Sequence, residues 1–96
     1  MKSIRIGAQT WTIKVVDELP TKDGWGECDY DNATISIVQG PKDIMRDTLL
    51  HEIMHAILCV AGVKADGDKE EEIVKTLAPW LDQILAWKVK KDLVTE

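Results

Sequence analysis

Residues 51–55 read His51-Glu52-Ile53-Met54-His55, an H-E-x-x-H run. On an α-helix, positions four apart lie one turn apart on the same face. Two imidazoles so placed can converge on one Zn²⁺ at about 2.0–2.1 Å. Glu52 is offset by one residue, which puts its carboxylate in place to hold a metal-bound water rather than the metal. Zinc lowers the pKa of such a water toward about 7, and the glutamate can take its proton as the water attacks a polarised carbonyl. Two histidines scattered at random in this chain fall four apart, with a glutamate after the first, in roughly one arrangement in a thousand. From Thr48 to Val63, Glu52 is the only formally charged residue, in a segment apolar around most of a helix's girth. Burying a lone carboxylate costs several kcal/mol unless something compensates it. A nearby metal ion would.

A catalytic zinc site takes three protein ligands and keeps a fourth position open. There is no third histidine, which excludes a three-histidine, metzincin-type site. The candidates are Asp66, Asp68, Glu70, Glu71, Glu72 and the cysteines Cys28 and Cys59. A closed site completed by a cysteine is the weaker case: neither lies in a C-x-x-C pair, and cysteine commonly behaves as a small buried hydrophobe. The acidic run opens a second helix, and antiparallel packing of that helix on the first would return its start along the histidine face. The same acids also serve the helix itself. Asp68 suits an N-cap, Asp68-x-x-Glu71 has the form of a capping box, and first-turn acids complement the helix dipole. Three consecutive glutamates cannot all be ligands. Apolar periodicity alone favours Glu70, which lies nearer the centre of the helix's apolar stripe.

The elements that must hold these residues are legible in outline. Residues 4–38 carry strand chemistry: Ile4, Ile6 and Gly7 open it, and Trp11–Val16 is β-branched and aromatic. Pro20–Gly24 reads as a turn or loop. Trp25–Tyr30 and Ala33–Val38 flank Asp31-Asn32, which suits a tight hairpin because both residues tolerate φ > 0. Ile35 and Ile37 alternate with Thr34 and Ser36, the mark of a strand with one buried face. This pattern predicts a three-stranded antiparallel sheet, with Thr34–Val38 offering an edge for an extended peptide. Gly40-Pro41 then starts a helix running to about Ala61, with Leu50, Ile53, Met54, Ile57, Leu58 and Ala61 as its stripe and Gly62 as its C′ residue. Lys64–Gly67 is a polar connection. The second helix places Ile73, Val74, Leu77, Leu81, Ile84 and Leu85 on one side, with Pro79 expected to kink or divide it. Trp80 and Trp87 read as packing residues. The expected class is α+β, a short antiparallel sheet packed on two helices.

Composition bounds the rest. At 96 residues there is room for one domain spanning 1–96, and 45% hydrophobic with 30% charged residues is ordinary for a globular chain. A net charge of −5 disfavours nucleic acid and anionic membranes as partners. No apolar stretch approaches the ~20 residues that span a bilayer. The start of the chain does not read as a secretory signal, and two cysteines do not make a disulfide scaffold, so the cytoplasm is the expected compartment.

Thr48–Ile57, the run Glu70-Glu71-Glu72-Ile73-Val74-Lys75-Thr76-Leu77-Ala78, and Gly26–Tyr30 through Ile37 together resemble the small zincin-like metallopeptidases of phages and prophages. More distantly they resemble ImmA/IrrE-type metallopeptidase domains. The likeness spans about residues 24–85. It implies a minimal zincin core of gluzincin type, with Zn²⁺ held by His51 and His55 and Glu52 as the catalytic base. It also implies a glutamate ligand three residues before a small or β-branched residue and six or seven before a packed apolar pair. Against Val74 and Leu77-Ala78, that spacing selects Glu71. The implied activity is zinc-dependent hydrolysis of a protein or peptide substrate, in a host cell's cytoplasm if the chain is phage-encoded. The alternative is a zinc-stabilised, non-catalytic binding or inhibitor module.

Overall fold

A computed structural model describes residues 2–19, 24–63 and 66–94, with side chains at all of these except 82 and 84–94. The expectations for Pro20–Asp23, Lys64 and Ala65, and for the side chains of Ile84, Leu85 and Trp87, lie outside the described residues. The elements follow in the order β1 (Lys2–Ile6), β2 (Gln9–Val16), β3 (Gly26–Asp29), β4 (Thr34–Val38), α1 (Lys42–Val60) and α2 (Gly67–Val94). The class is α+β, as expected. No helix among the described residues is long and apolar enough to cross a membrane.

The sheet has four strands rather than three and is mixed rather than antiparallel, in the order β1-β2-β4-β3. The extra strand is β1, which pairs antiparallel with β2 across a turn at Gly7-Ala8. That turn lacks the usual Asn-Gly or Asp-Gly signal. Gly7 has φ +62, and a Cβ there would lie 2.9 Å from Val60 Cγ1, so glycine meets both demands. The parallel pair is β2 with β4. The chain leaves β2, runs out along β3 and returns in β4 between them. Ile35 and Ile37 are buried, which draws β4 to the middle, whereas Gly-Glu-Cys-Asp in β3 has little apolar surface and takes the edge. The expected edge at Thr34–Val38 is therefore closed on both sides. Among the described residues, the open edge beside the helices is β3.

Asp31 and Asn32 do connect β3 and β4, but the left-handed residue is Ala33, with φ +47. The turn is held instead by Asp29, whose carboxylate accepts hydrogen bonds from the Asn32 backbone N–H (3.2 Å) and amide nitrogen (2.9 Å).

Helix α1 is capped by Pro41, whose carbonyl accepts the Met45 N–H at 2.9 Å. It ends as expected at Gly62, with φ +74. Bonds from Gly62 N–H to the Cys59 carbonyl (3.1 Å) and from Val63 N–H to the Leu58 carbonyl (3.0 Å) form a Schellman motif. The predicted single apolar stripe divides in two. Met45, Leu49, Ile53, Ala56 and Val60 join the sheet's core around Trp11, Ile35 and Ile37. Met54 and Leu58 pack instead against Val74, Ala78 and Leu81 of α2. The molecule is therefore layered as sheet, α1, α2. At ~100° per residue the two faces of α1 stand far apart around its axis, and His51 and His55 fall on a seam between them.

The cap of helix α2 lies two residues earlier than expected, and the helix starts at Gly67. Asp66, not Asp68, is the N-cap: its carboxylate accepts the Lys69 N–H and its carbonyl the Glu70 N–H, both at 2.9 Å. Glu71 is then too far into the helix to complete a capping box. The helix continues through Pro79 undivided, although the missing N–H deprives the Lys75 carbonyl of its i+4 donor. Trp80 is 64% exposed, so the packing role expected for it is corrected, and Leu77 is likewise exposed. Among the described apolar residues of α2, the narrower line of Val74, Ala78 and Leu81 packs against α1.

Candidate metal centre

His51 and His55 stand one turn apart on α1, with ring centroids 5.0 Å from each other. The start of α2 packs across them. Glu71 Oε1 lies 2.8 Å from His55 Nε2 and 3.4 Å from His51 Nε2, so both imidazoles aim one nitrogen at one carboxylate oxygen. One ligand atom from each of the three residues lies within 4.8 Å of the others. Ligands at ~2.0–2.1 Å on a tetrahedral ion stand about 3.3 Å apart, so the cluster has the dimensions of a site for a single ion. His51, His55 and Glu71 are thus together and could hold a metal ion. Asp66 is occupied in capping α2, and Asp68 and Glu72 are exposed and outside the cluster.

Glu70 has a part that the sequence reading did not foresee. Its Oε2 lies 2.9 Å from Nδ1 of His55. Carboxylates therefore meet both ring nitrogens of His55, and both contacts are hydrogen bonds only if both nitrogens carry hydrogen. A cation at Nε2 would lift that requirement and leave Nδ1–H donating to Glu70, the usual outer support of a metal-ligating histidine. One buried and one half-buried imidazole with two carboxylates form a donor set that fits a divalent ion. Burial pushes the Glu71 carboxyl upward, but hydrogen bonds from His55 and His51 and the charge of both rings outweigh it and hold the group below its ordinary range. The sequence carries a signal for Glu70: apolar periodicity points to Glu70, while the spacing implied by the resemblance points to Glu71. Both residues face the histidines.

Glu52 is buried on the sheet side of the seam. It lies against β3 where that strand has no side chain: a Cβ on Gly26 would stand 2.5 Å from Thr48 Cγ2 and 3.0 Å from Glu52 Oε2. A cleft of about 400 Å³ opens here, with His51, Glu52 and Glu71 in its lining and Trp25, Gly26, Asp47 and Thr48 around them. Neither cysteine joins the cluster. Cys59 is exposed, and the half-buried Cys28 thiol is pushed up to about 12 by burial and then by the charge of Glu52, so it keeps its proton at neutral pH. With both cysteines outside the cluster, the geometry speaks against a closed site completed by sulfur. No protein-family model, curated protein or solved structure matches the chain.

Proposed function

We propose that this chain is a zinc-dependent metallopeptidase of gluzincin type, in which His51, His55 and Glu71 hold the ion and Glu52 is the general base. The observation that carries this reading is the convergence of two Nε2 atoms and Glu71 Oε1 at the edge of a cleft that Glu52 also lines. Bound zinc would supply a Lewis acid for the substrate carbonyl and lower the pKa of water. The protein's own groups do the rest. Glu52 accepts the proton of the attacking water and can pass it to the leaving amine. Glu70 orients the His55 ring through Nδ1.

The edge of β3 is suited to hold the peptide. Trp25's carbonyl accepts the Val38 N–H at 2.8 Å, and Glu27 lies opposite Ser36. By the alternation of an antiparallel ladder, the backbone groups of Gly26 and Cys28 then point away from β4 toward the open edge. An extended peptide adding there lies along the cleft, with its backbone pinned by the strand and its carbonyl beside the histidines. The substrate class that fits is a protein or peptide.

The test is Glu52→Gln, which keeps shape and hydrogen bonding but cannot take the proton. Zinc content should be retained while hydrolysis of a peptide library by the zinc-loaded protein falls about 10²-fold or more. Equal turnover by both proteins would remove Glu52 from the mechanism. Stoichiometric zinc with no cleavage of any peptide by the unmodified protein would favour the non-catalytic binding or inhibitor module.

A further inference from the structure

A second cleft, of about 360 Å³, lies on the other side of His51 between α1 and α2, lined by Asp47, Leu50, His51, Lys75, Ala78 and Pro79. Asp47 and His51 line both clefts, so the two communicate over the first histidine. Leu50 and Ala78 are buried apolar residues, and they give the second cleft an apolar floor. Its cation is Lys75. One helical turn earlier stands Glu71, the carboxylate that would ordinarily pair with a lysine at i+4. Glu71 is turned to the histidines instead. Among the described residues, neither Lys75 nor Asp47 has an ion-pair partner.

The direction of the peptide decides which of its residues meets this cleft. A peptide pairing antiparallel with β3 runs from the Asp29 end toward Gly26 and Trp25. Trp25 and Asp47 line the first cleft together, and Asp47 leads into the second. The residue just beyond the scissile bond, on the leaving side, therefore reaches the second cleft. Its amide nitrogen, which becomes an amine on cleavage, would then lie on the side of Asp47, and its side chain would face Leu50 and Ala78. A carboxylate on that residue would meet Lys75, which lines the same cleft.

We infer that Lys75 determines specificity, making the second cleft a receptor for a carboxylate carried by the residue just beyond the scissile bond. The inference rests on the peptidase reading for its orientation. The carboxylate can be the terminus of the chain, which would make the protein remove a C-terminal residue, or an acidic side chain within a longer peptide. Both present the same chemistry to the lysine.

The experiment uses zinc-loaded Glu52→Gln protein, in which turnover is blocked, titrated with three blocked peptides of equal length. These are acyl-Gly-Phe as the free acid, acyl-Gly-Phe amide and acyl-Gly-Asp amide. At least one carboxylate-bearing peptide should bind about tenfold or more tightly than the Phe amide, the scale of one charge-assisted hydrogen bond. Preference for the free acid assigns the chain terminus; preference for the Asp amide assigns a side chain. Adding Lys75→Glu should abolish the preference and Lys75→Arg should keep it, with zinc content unchanged in both. Equal affinity for all three peptides, or a preference that survives Lys75→Glu, overturns the inference. Turnover of the same peptides by the unmodified protein is read separately. Cleavage without carboxylate preference rejects the Lys75 role alone, whereas a Lys75-dependent preference without cleavage rejects the peptidase and leaves the receptor standing.

Discussion

At the scale of single residues, the cluster divides labour between two adjacent glutamates. Glu71 stands where two imidazole nitrogens converge, and Glu70 takes the outer nitrogen of His55. Their substitutions should therefore differ in degree. Glu71→Ala should remove stoichiometric zinc under conditions where the unmodified protein is saturated. Glu70→Ala should retain the site but weaken zinc affinity by about 10–100-fold, the usual cost of losing an outer-shell partner. Glu72→Ala, exposed and outside the cluster, should leave affinity unchanged. Competition against a fluorescent zinc chelator ranks the three. A ranking with Glu70 ahead of Glu71 would exchange their roles, and no loss at either would dissolve the site.

At the scale of elements, the approach of β3 to α1 and the hairpin behind it make separate demands. Gly26→Ala places a methyl against Thr48 and Glu52 and should cost about 1–3 kcal/mol, as overpacking does. Gly67→Ala meets nothing within 4 Å at the first position of α2, so it should be neutral or stabilising by about 0.5–1 kcal/mol. Paired denaturant melts compare them, and equal effects would mean that β3 does not sit tightly on Glu52. The hairpin should show itself in pH dependence. Hydrogen bonds from the Asn32 side chain and backbone hold the Asp29 carboxyl below its ordinary value. The folded state thus favours the charged form. Asp29's contribution is complete above its unfolded value of about 3.9 and is lost as pH falls through the lower folded value. Asp29→Ala should therefore lower the melting temperature of the metal-free protein at pH 7, with the difference shrinking below pH ~4. A difference that grows in acid would contradict that assignment.

For the whole molecule, the layering means that the proposed zinc joins α1 to α2, the outermost layer. Val74, Ala78 and Leu81 are the described apolar anchors of α2, and a chain of this size buries only about 60–70% of its unfolded surface. Binding to the folded state alone then matters. Zinc at one hundred times its dissociation constant adds about 2.7 kcal/mol, a rise in Tm on the order of 10 °C for a domain this small. Calorimetry before and after chelation checks this, and an unchanged Tm would mean that no zinc spans the two helices. The exposed apolar residues Leu77 and Trp80 on the outer side of α2 carry no such restraint.

Much of this was already legible in the chain. H-E-x-x-H is a local pattern, and helical periodicity alone puts His51 and His55 on one face whatever surrounds them. The Gly62 stop, the alternation of Ile35 and Ile37 and the α+β class are local in the same sense. What the sequence could not decide were the choices made by neighbours. β4 took the interior because two buried isoleucines outweigh the order in which strands are made, and that moved the open edge to β3. The cap moved from Asp68 to Asp66, which released Glu71 from the helix end. The spacing predicts one apolar stripe on α1, but the helix has two, since a helix between two layers must be apolar on both sides. Glu70 and Glu71 both face the histidines only because α2 lies across the seam between those layers. Residue types and spacing are written along the chain; which of two neighbouring carboxylates meets which nitrogen depends on how two helices cross in three dimensions.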